Sequence, residues 1–395
     1  MPMRPLVPII DRYLPEIVTL RHNIHENPEI GYEEIETSAK IVKRLEEKGG
    51  FDIQTGIAKT GIVATLGSHK SGKGIALRAD MDCLPILEDS GKDWASKRPG
   101  YMHACGHDGH TSCLLGTALV LSDLEDSLKG PVKFIFQPAE EGGAGGEKMV
   151  AAGVLDNPKV DMIFGLHGWP SLELGQITTC KGPMMANADE FEITIHGRGG
   201  HAAVPQNCID PIVVASHIVT ALQSVSSRNT APEDSVVVTV AKIEGGTAFN
   251  IIPDSVTMLG TIRTLSQETQ QNVFDRIHSI ASGVAESMGA RAEVRLTRGY
   301  PVLSNHPKAV DYLETVFDNM ESPVTQISSI FPQMVGEDFA YFAQNKPGCF
   351  FGLGLKPPQA ESYPHLHRAN FDFNDDALPI GMRCFSELVL NFWDY

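Results

Sequence analysis

The sequence predicts an α/β fold: a mostly parallel-sheet larger domain with an inserted ferredoxin-like (βαββαβ) unit. Three observations carry this. Between residues 61 and 164, apolar runs of strand length alternate with stretches of helical spacing. From about 185 the texture changes to a strand-helix-strand-strand-helix-strand order, the split βαβ pattern. After 298 the α/β texture resumes, so residues 1–184 and 298–395 are expected to form one discontinuous domain, with 185–297 inserted.

The elements follow in chain order. Helices are expected over 11–26, where Ile17, Leu20 and Ile24 recur at three and four, and over 34–49. Asn27-Pro28 stops the first and Gly49-Gly50 the second. Strand-like runs occupy 61–66 and 74–79, the second ending in Asp80-Met81-Asp82. Residues 107–124 read as a helix. The strand 132–136 ends in Gln137-Pro138-Ala139-Glu140-Glu141, a short helix covers 146–152, and the strand 161–164 ends in Gly165-Leu166-His167. Ligand sites in such sheets gather beyond the strand carboxyl ends, and acids or histidines fall there after 79, 136 and 164.

In the insert, 191–195 alternates cleanly, which predicts a sheet with one solvated face. A helix over 209–226, strands over 236–243 and 255–262, a long helix over 267–288 and a strand over 291–297 complete it. Beyond it, 308–320 and 377–392 read as helices and 350–353 as a strand.

At 395 residues with 42% apolar and 7% aromatic content, the chain can bury a full core and exceeds one typical domain. A net charge of -17 speaks against nucleic acid and against an anionic membrane surface. The seven cysteines are scattered, odd in number and without a C-x-x-C pair, which points to reduced thiols in a cytoplasm. No signal-peptide pattern and no membrane-length apolar window is present in the sequence.

The chemistry concentrates in Met102-His103-Ala104-Cys105-Gly106-His107-Asp108-Gly109-His110. Thiol, imidazole and carboxylate groups crowded at a loop-to-helix junction suit a metal site. Taken with Glu141, His167 and His367, the pair Cys105 and His107 gives five donors, enough for two ions sharing a water. The mixed donor set matches two divalent ions of the Zn or Mn kind, with Co or Ni also suited, and excludes calcium. In Glu140-Glu141, adjacent carboxylates repel unless a cation offsets one. If Glu141 binds metal, Glu140 is left where a general base is needed. The run Gly142-Gly143-Ala144-Gly145-Gly146 lacks the Gly-Lys-Ser/Thr of a phosphate loop and reads as room for close backbone approach.

The motifs MHACGHDGH, QPAEEGGAGG, FGLHGWP, GRGGHAAVP and GGTAFNIIPD resemble the aminoacylase and carboxypeptidase family of dinuclear metallohydrolases. RHNIHENPE, LRADMDCLP, GEDFA and HLHRANFDFNDDALPIG fit its hippurate-hydrolase and auxin-conjugate-hydrolase branch. The resemblance implies a catalytic domain with two metals and an inserted lid. It implies Cys105, His107, Glu141, His167 and His367 as ligands and Glu140 as the base. It implies His201 as a lid histidine that stabilises the tetrahedral intermediate, and Asn250 as a lid residue near substrate. Arg263 follows a lid strand and is expected to bind a substrate carboxylate, since Arg pairs with carboxylate in bidentate fashion. Where many relatives carry His-x-Asp, this chain has Asp80-Met81-Asp82; Cys105 is expected to take over the missing ligand's role and Asp82 to orient a ligand imidazole. Asp80, His103, His110 and His365 are expected as neighbours rather than ligands, and His25 as a core residue.

The implied function is metal-dependent cleavage of N-acyl-L-amino acids to a carboxylic acid and a free amino acid. A dipeptide carboxypeptidase or N-acetyl-diaminopimelate deacetylase with the same site is the alternative within enzymes. A catalytically inactive metal- or ligand-binding homologue is the alternative of another class. The resemblance also implies a homodimer, or a higher homo-oligomer, through the lid.

Overall fold

The structure is a computed structural model describing residues 6–320, 324, 332–395 and the main chain of 326–329. The chain divides into two compact units: one of residues 1–182, 304–331 and 338–395, the other of 183–303 and 332–337. The second unit therefore extends past the expected end at 297 and takes back a short stretch of the C-terminal part.

The first unit opens with α1 (Leu6–Glu26) and α2 (Ile35–Lys48). Ile10, Ile17 and Ile24, seven apart, are buried on one side of α1, and Arg21 is buried among them. Strands β1 (Phe51–Ile57), β2 (Gly61–Leu66) and β3 (Gly74–Asp80) follow, then α3 (His107–Ser122), β4 (Val132–Gln137) and α4 (Gly145–Ala151). Next come β5 (Val160–Glu173) and β6 (Gln176–Thr179), and β7 (Gly182–Met185) begins at the boundary and lies mostly in the second unit.

The second unit holds β8 (Ala188–His196), β9 (Gly200–His201), α5 (Pro211–Arg228), β10 (Val237–Glu244), β11 (Ile251–Ile252), β12 (Ser255–Arg263), α6 (Gln267–Ser287) and β13 (Arg291–Tyr300). The remaining elements are β14 (Leu303–Asn305), α7 (Pro307–Asp318), β15 (Gln326–Ser329), α8 (Ala340–Asn345), β16 (Gly348–Lys356) and α9 (Leu378–Leu390).

The large sheet runs β1-β2-β4-β3-β5-β16-β6-β15. Pairings β3 with β4, β3 with β5, β5 with β16 and β6 with β15 are parallel, while β1-β2, β2-β4 and β6-β16 are antiparallel. Strands β2, β3 and β4 are buried throughout, as sheet interiors covered on both faces require. Every residue of α3 from His107 to Leu121 is buried. That closeness needs small side chains: a Cβ on Gly109 would stand 2.2 Å from the ring of Phe373, and one on Gly116 2.7 Å from Met382.

The second unit carries an antiparallel sheet in the order β10-β12-β8-β13, the ferredoxin-like arrangement expected from element order. Phe191, Ile193 and Ile195 of β8 pack with Val214, Ile218 and Leu222 of α5 and Val273 and Ile277 of α6. Asp210 caps α5 by accepting from the amide of Ile212, and Ser266 caps α6 by accepting from Thr269.

One sequence expectation needs correction. The strand around 161–164 does not end before His167; β5 continues to Glu173. Its neighbour β3 stops pairing at Arg78 opposite Gly165, and beyond that point β5 is held by β16, with Gly352 opposite His167. His167 therefore stands inside a strand that outruns its neighbour.

Candidate metal centre

Five segments of the first unit bring the candidate donors together. Cys105 lies in the loop just before α3, and His107 is the first residue of that helix. Gly106 between them adopts φ 86°, a left-handed conformation that suits glycine and turns the chain from loop to helix. Glu140 and Glu141 follow β4, His167 lies on β5, and His367 lies in the loop after β16. His367 also has φ 60°, and its amide donates to the carbonyl of Ala104 at 2.8 Å, tying its loop to the Cys105 segment. A non-glycine residue held at positive φ is costly and persists where the surroundings impose it.

Donor atoms of Cys105, His107 and His167 lie within 4.8 Å of one another, as do those of Cys105, Glu141 and His367, and those of His107, Glu140 and Glu141. Cys105 belongs to both of the first two groups. Its Sγ stands 3.4 Å from His167 Nε2, and His367 Nε2 stands 3.2 Å from Glu141 Oε1. His107 is buried, and among the described residues neither of its ring nitrogens nor Oε1 of Glu141 makes a well-formed hydrogen bond, although Asp82 Oδ1 lies 3.3 Å from Nδ1 and His367 Nε2 3.2 Å from Oε1. Buried thiol, imidazole and carboxylate donors facing one another without well-formed hydrogen bonds fit a site for cations.

The electrostatics agree. Contacts with Cys105 and Glu141 raise the His367 imidazole to about 10. Burial pushes the Cys105 thiol up, and the neighbouring Glu141 carboxylate adds to this. Burial would also push up the Glu141 carboxyl, but His367 and His107 hold it below the ordinary range. These acids call for positive charge beside them.

The surrounding side chains are committed elsewhere. Asp82 accepts the main-chain amides of Glu140 and Glu141 at 3.0 and 2.9 Å, and its Oδ1 lies 3.3 Å from His107 Nδ1. The buried Arg78 donates to Asp80, Gln137 and Asp338 at 2.8, 2.8 and 2.9 Å. The amide of Gly168 donates to His110 Nε2, so both nitrogens of His110 are engaged, the other facing Asp80. Among the described residues His103 is buried with neither nitrogen paired, and the exposed His365 joins none of the donor groups.

The sequence reading overlooked the role of Arg21. Its guanidinium donates to Asp108, beside His107, and to Asp375 at 2.8 and 2.9 Å, and also bonds Asp372. It thus links α1 to α3 and to the segment following His367. His25, expected as a core residue, is buried but ionic, bonded to Asp108 at 2.9 Å and Glu88 at 3.2 Å. Charged residues on a helix ordinarily face water, so only the motif RHNIHENPE hinted at this.

The other three expected residues belong to the second unit. His201 is exposed, and its Nδ1 accepts from the amide of Ala203 at 3.1 Å, which leaves the proton on Nε2. Asn250 is exposed, and its carbonyl accepts the amide of Ala202, so β9 and β11 hold the two side by side. Arg263 is half-buried and spends Nη1 on the carbonyls of Asp189 and Ile262 at 3.4 and 2.9 Å and on the Thr261 hydroxyl.

Known proteins fit this picture. The profile of "Peptidase family M20/M25/M40" matches residues 76–391. The chain is 39% identical to the N-acetylcysteine deacetylase of Bacillus subtilis (strain 168), over 95% of this chain and 96% of that protein. It is 42% identical to IAA-amino acid hydrolase ILR1-like 5 of Arabidopsis thaliana, over 95% of this chain and 86% of that one. Among solved structures, a Bacillus subtilis protein described as a dinuclear metal-binding peptidase of the M20 family superposes with a TM-score of 0.84 at 35% identity, covering 97% of this chain and 99% of its own. The chain belongs to peptidase family M20/M25/M40 and is a metal-dependent amidohydrolase of that family.

Proposed function

We propose that the chain hydrolyses N-acyl-L-amino acids, hippurate-like substrates among them, at a centre for two divalent ions. The observation that carries this is the convergence of Cys105, His107, Glu141, His167 and His367 on one place beside Glu140. Cys105 would hold an ion together with His107 and His167, and it also lies within reach of Glu141 and His367. Asp82 steadies His107 from behind and holds the Glu140-Glu141 main chain. Zinc and manganese suit the donor set best, with cobalt or nickel also accepted.

When bound, the ions supply Lewis-acid polarisation of the scissile carbonyl and make the attacking water more acidic. Glu140 takes a proton from that water on a carboxylate oxygen and returns it to the leaving amine nitrogen. His201, with its proton on Nε2, donates to the oxygen that gains charge. Asn250 and the unspent part of the Arg263 guanidinium are assigned to the substrate's amino-acid end, where a fork recognises carboxylate. The relatives' names describe removal of an acetyl group from cysteine and hydrolysis of an amino-acid conjugate, which supports this substrate class.

All seven cysteines are free thiols, which supports a reducing compartment such as the cytoplasm. Among the described residues no helix is long and apolar enough to cross a membrane. The fully exposed Phe249 and the half-exposed Ile251 support self-association of the second unit into a homodimer.

The test is a panel of N-acetyl, N-benzoyl and auxin-conjugated amino acids beside dipeptides and N-acetyl-diaminopimelate. Metal-free protein is reconstituted with Zn or Mn and the metal per chain is counted. Turnover of the N-acyl amino acids with two ions bound is expected. Turnover of dipeptides alone would move the assignment to a carboxypeptidase, and two bound ions without hydrolysis would make the chain a binder.

A further inference from the structure

Three consecutive main-chain amides of the Glu140-Glu141 turn are captured by two buried carboxylates. Asp82 takes those of Glu140 and Glu141. The third, from Ala139, donates to Oε1 of Glu34 at 2.8 Å. Glu34 is fully buried at the position preceding α2, and its Oε2 accepts the Thr60 hydroxyl at 2.5 Å. Both carboxylate oxygens are therefore committed.

Ala139 needs such a hold. It sits at φ 53°, a left-handed conformation that is disfavoured for a residue with a Cβ. The chain around Glu34 shapes itself to that conformation. A Cβ on Gly31 would stand 2.9 Å from the Cβ of Ala139, so only glycine lets the two segments meet. The Tyr32 hydroxyl donates to the carbonyl of Gly143 on the far side of the turn. On the turn itself, a Cβ on Gly145 would fall 1.7 Å from the carbonyl oxygen of Pro138, so the glycine run serves close backbone approach. Residues 31–34 lie before residue 76, where the family match begins. Burying a carboxyl here is costly: burial raises it to about 7, opposed by the hydrogen bond from Thr60.

We propose that Glu34 is a positioning residue for hydrolysis: by holding the Ala139 amide it fixes the left-handed residue from which the chain enters Glu140. The proposal rests on the assignment of Glu140 as the base. Glu34 acts on Glu140 through the main chain, by its hydrogen bond with the Ala139 amide.

The experiment compares Glu34→Ala, Glu34→Gln, Glu34→Asp and Glu140→Gln in the full chain reconstituted with Mn. Each is measured for kcat and KM on N-benzoylglycine or the best substrate of the panel, for ions bound per chain, and for hydrogen–deuterium exchange of residues 138–143. Glu34→Ala is expected to lower kcat about tenfold or more, because small misplacements near the chemistry are costly, while KM stays within about threefold. Its metal content should match wild type, and exchange in 138–143 should quicken. Glu34→Gln keeps an acceptor for Ala139 and should restore kcat to within about threefold. Glu34→Asp keeps the charge but is one methylene short, so it should behave like the alanine variant; if the alanine variant does not fold, the Asp and Gln pair decides.

The proposal is overturned if Glu34→Ala or Glu34→Asp turns over like wild type with unchanged exchange. It is equally overturned if the loss of kcat follows loss of bound metal, or if Glu34→Gln is as impaired as Glu34→Asp. A fully active Glu140→Gln would instead remove the base assignment on which it rests.

Discussion

Nδ1 of His110 lies 2.7 Å from Oδ1 of Asp80, and this contact decides what His110 can do. Because Nε2 accepts from the Gly168 amide, the proton must sit on Nδ1 and point at Asp80. Burial lowers the pKa of the imidazole despite Asp80, so the ring is neutral. No lone pair remains for a metal. His110 instead braces His167, whose ring centroid is 4.5 Å away. His110→Ala should therefore weaken metal affinity about 10–100-fold, the usual effect of losing a group that orients a ligand. Competition with a chromophoric chelator measures this, and unchanged affinity would sink the bracing role.

Glu140→Gln should keep both ions, because none of the five assigned ligands is altered. Its kcat should fall by about 10²–10⁴-fold, the range contributed by a general base. Metal analysis and steady-state kinetics on one preparation check both halves. Near-wild-type hydrolysis would dismiss the base.

His25 ties stability to pH. Burial opposes its charge, but Asp108 and Glu88 outweigh that and raise it from 6.5 to about 9. A histidine raised in the folded state contributes stability that is fully present below pH 6.5 and lost as pH rises through about 9. The contribution is on the order of 3 kcal/mol. Thermal midpoints of wild type should drop between pH 6.5 and 9 by more than those of His25→Gln. Parallel pH profiles for the two proteins would contradict this.

Gly109→Ala should destabilise the first unit by about 1–3 kcal/mol, the cost of overpacking a dense core. The new methyl would meet the fully buried Phe373 ring at 2.2 Å, and that ring is also crowded by Gly106 and Gly168. Because His107 and His110 ride on the same helix, bound metal should loosen as well. Denaturant midpoints and chelator competition report the two effects separately.

Much of the fold is legible in the sequence. Ile193 and Ile195 alternate with polar neighbours and marked β8 as a half-solvated strand, and its order with α5, β10, β12, α6 and β13 specified the insert. The metal donors were legible because Cys and His rarely crowd together without a partner. Strand β1 was not, since Phe51–Ile57 is an edge with mostly polar, exposed positions and no apolar run. Strand β6 has one apolar residue, Ile177, between Gln176 and two threonines, and its burial comes entirely from tertiary packing. Glu34 and Arg21 were hidden for a different reason: a charge in a sequence carries no mark of whether its partner is water or a buried amide.

The position of β16 between β5 and β6 has a consequence for how the protein is made. A nascent chain that has emerged through residue 182 already carries Cys105, His107, Glu141 and His167, but its sheet has a gap where β16 belongs and His367 is still to come. Both arrive only after the whole second unit has been synthesised. If the five donors hold the ions as proposed, the full set exists only once residue 367 has been made, and until then the Cys105 thiol lacks the neighbour that loop supplies.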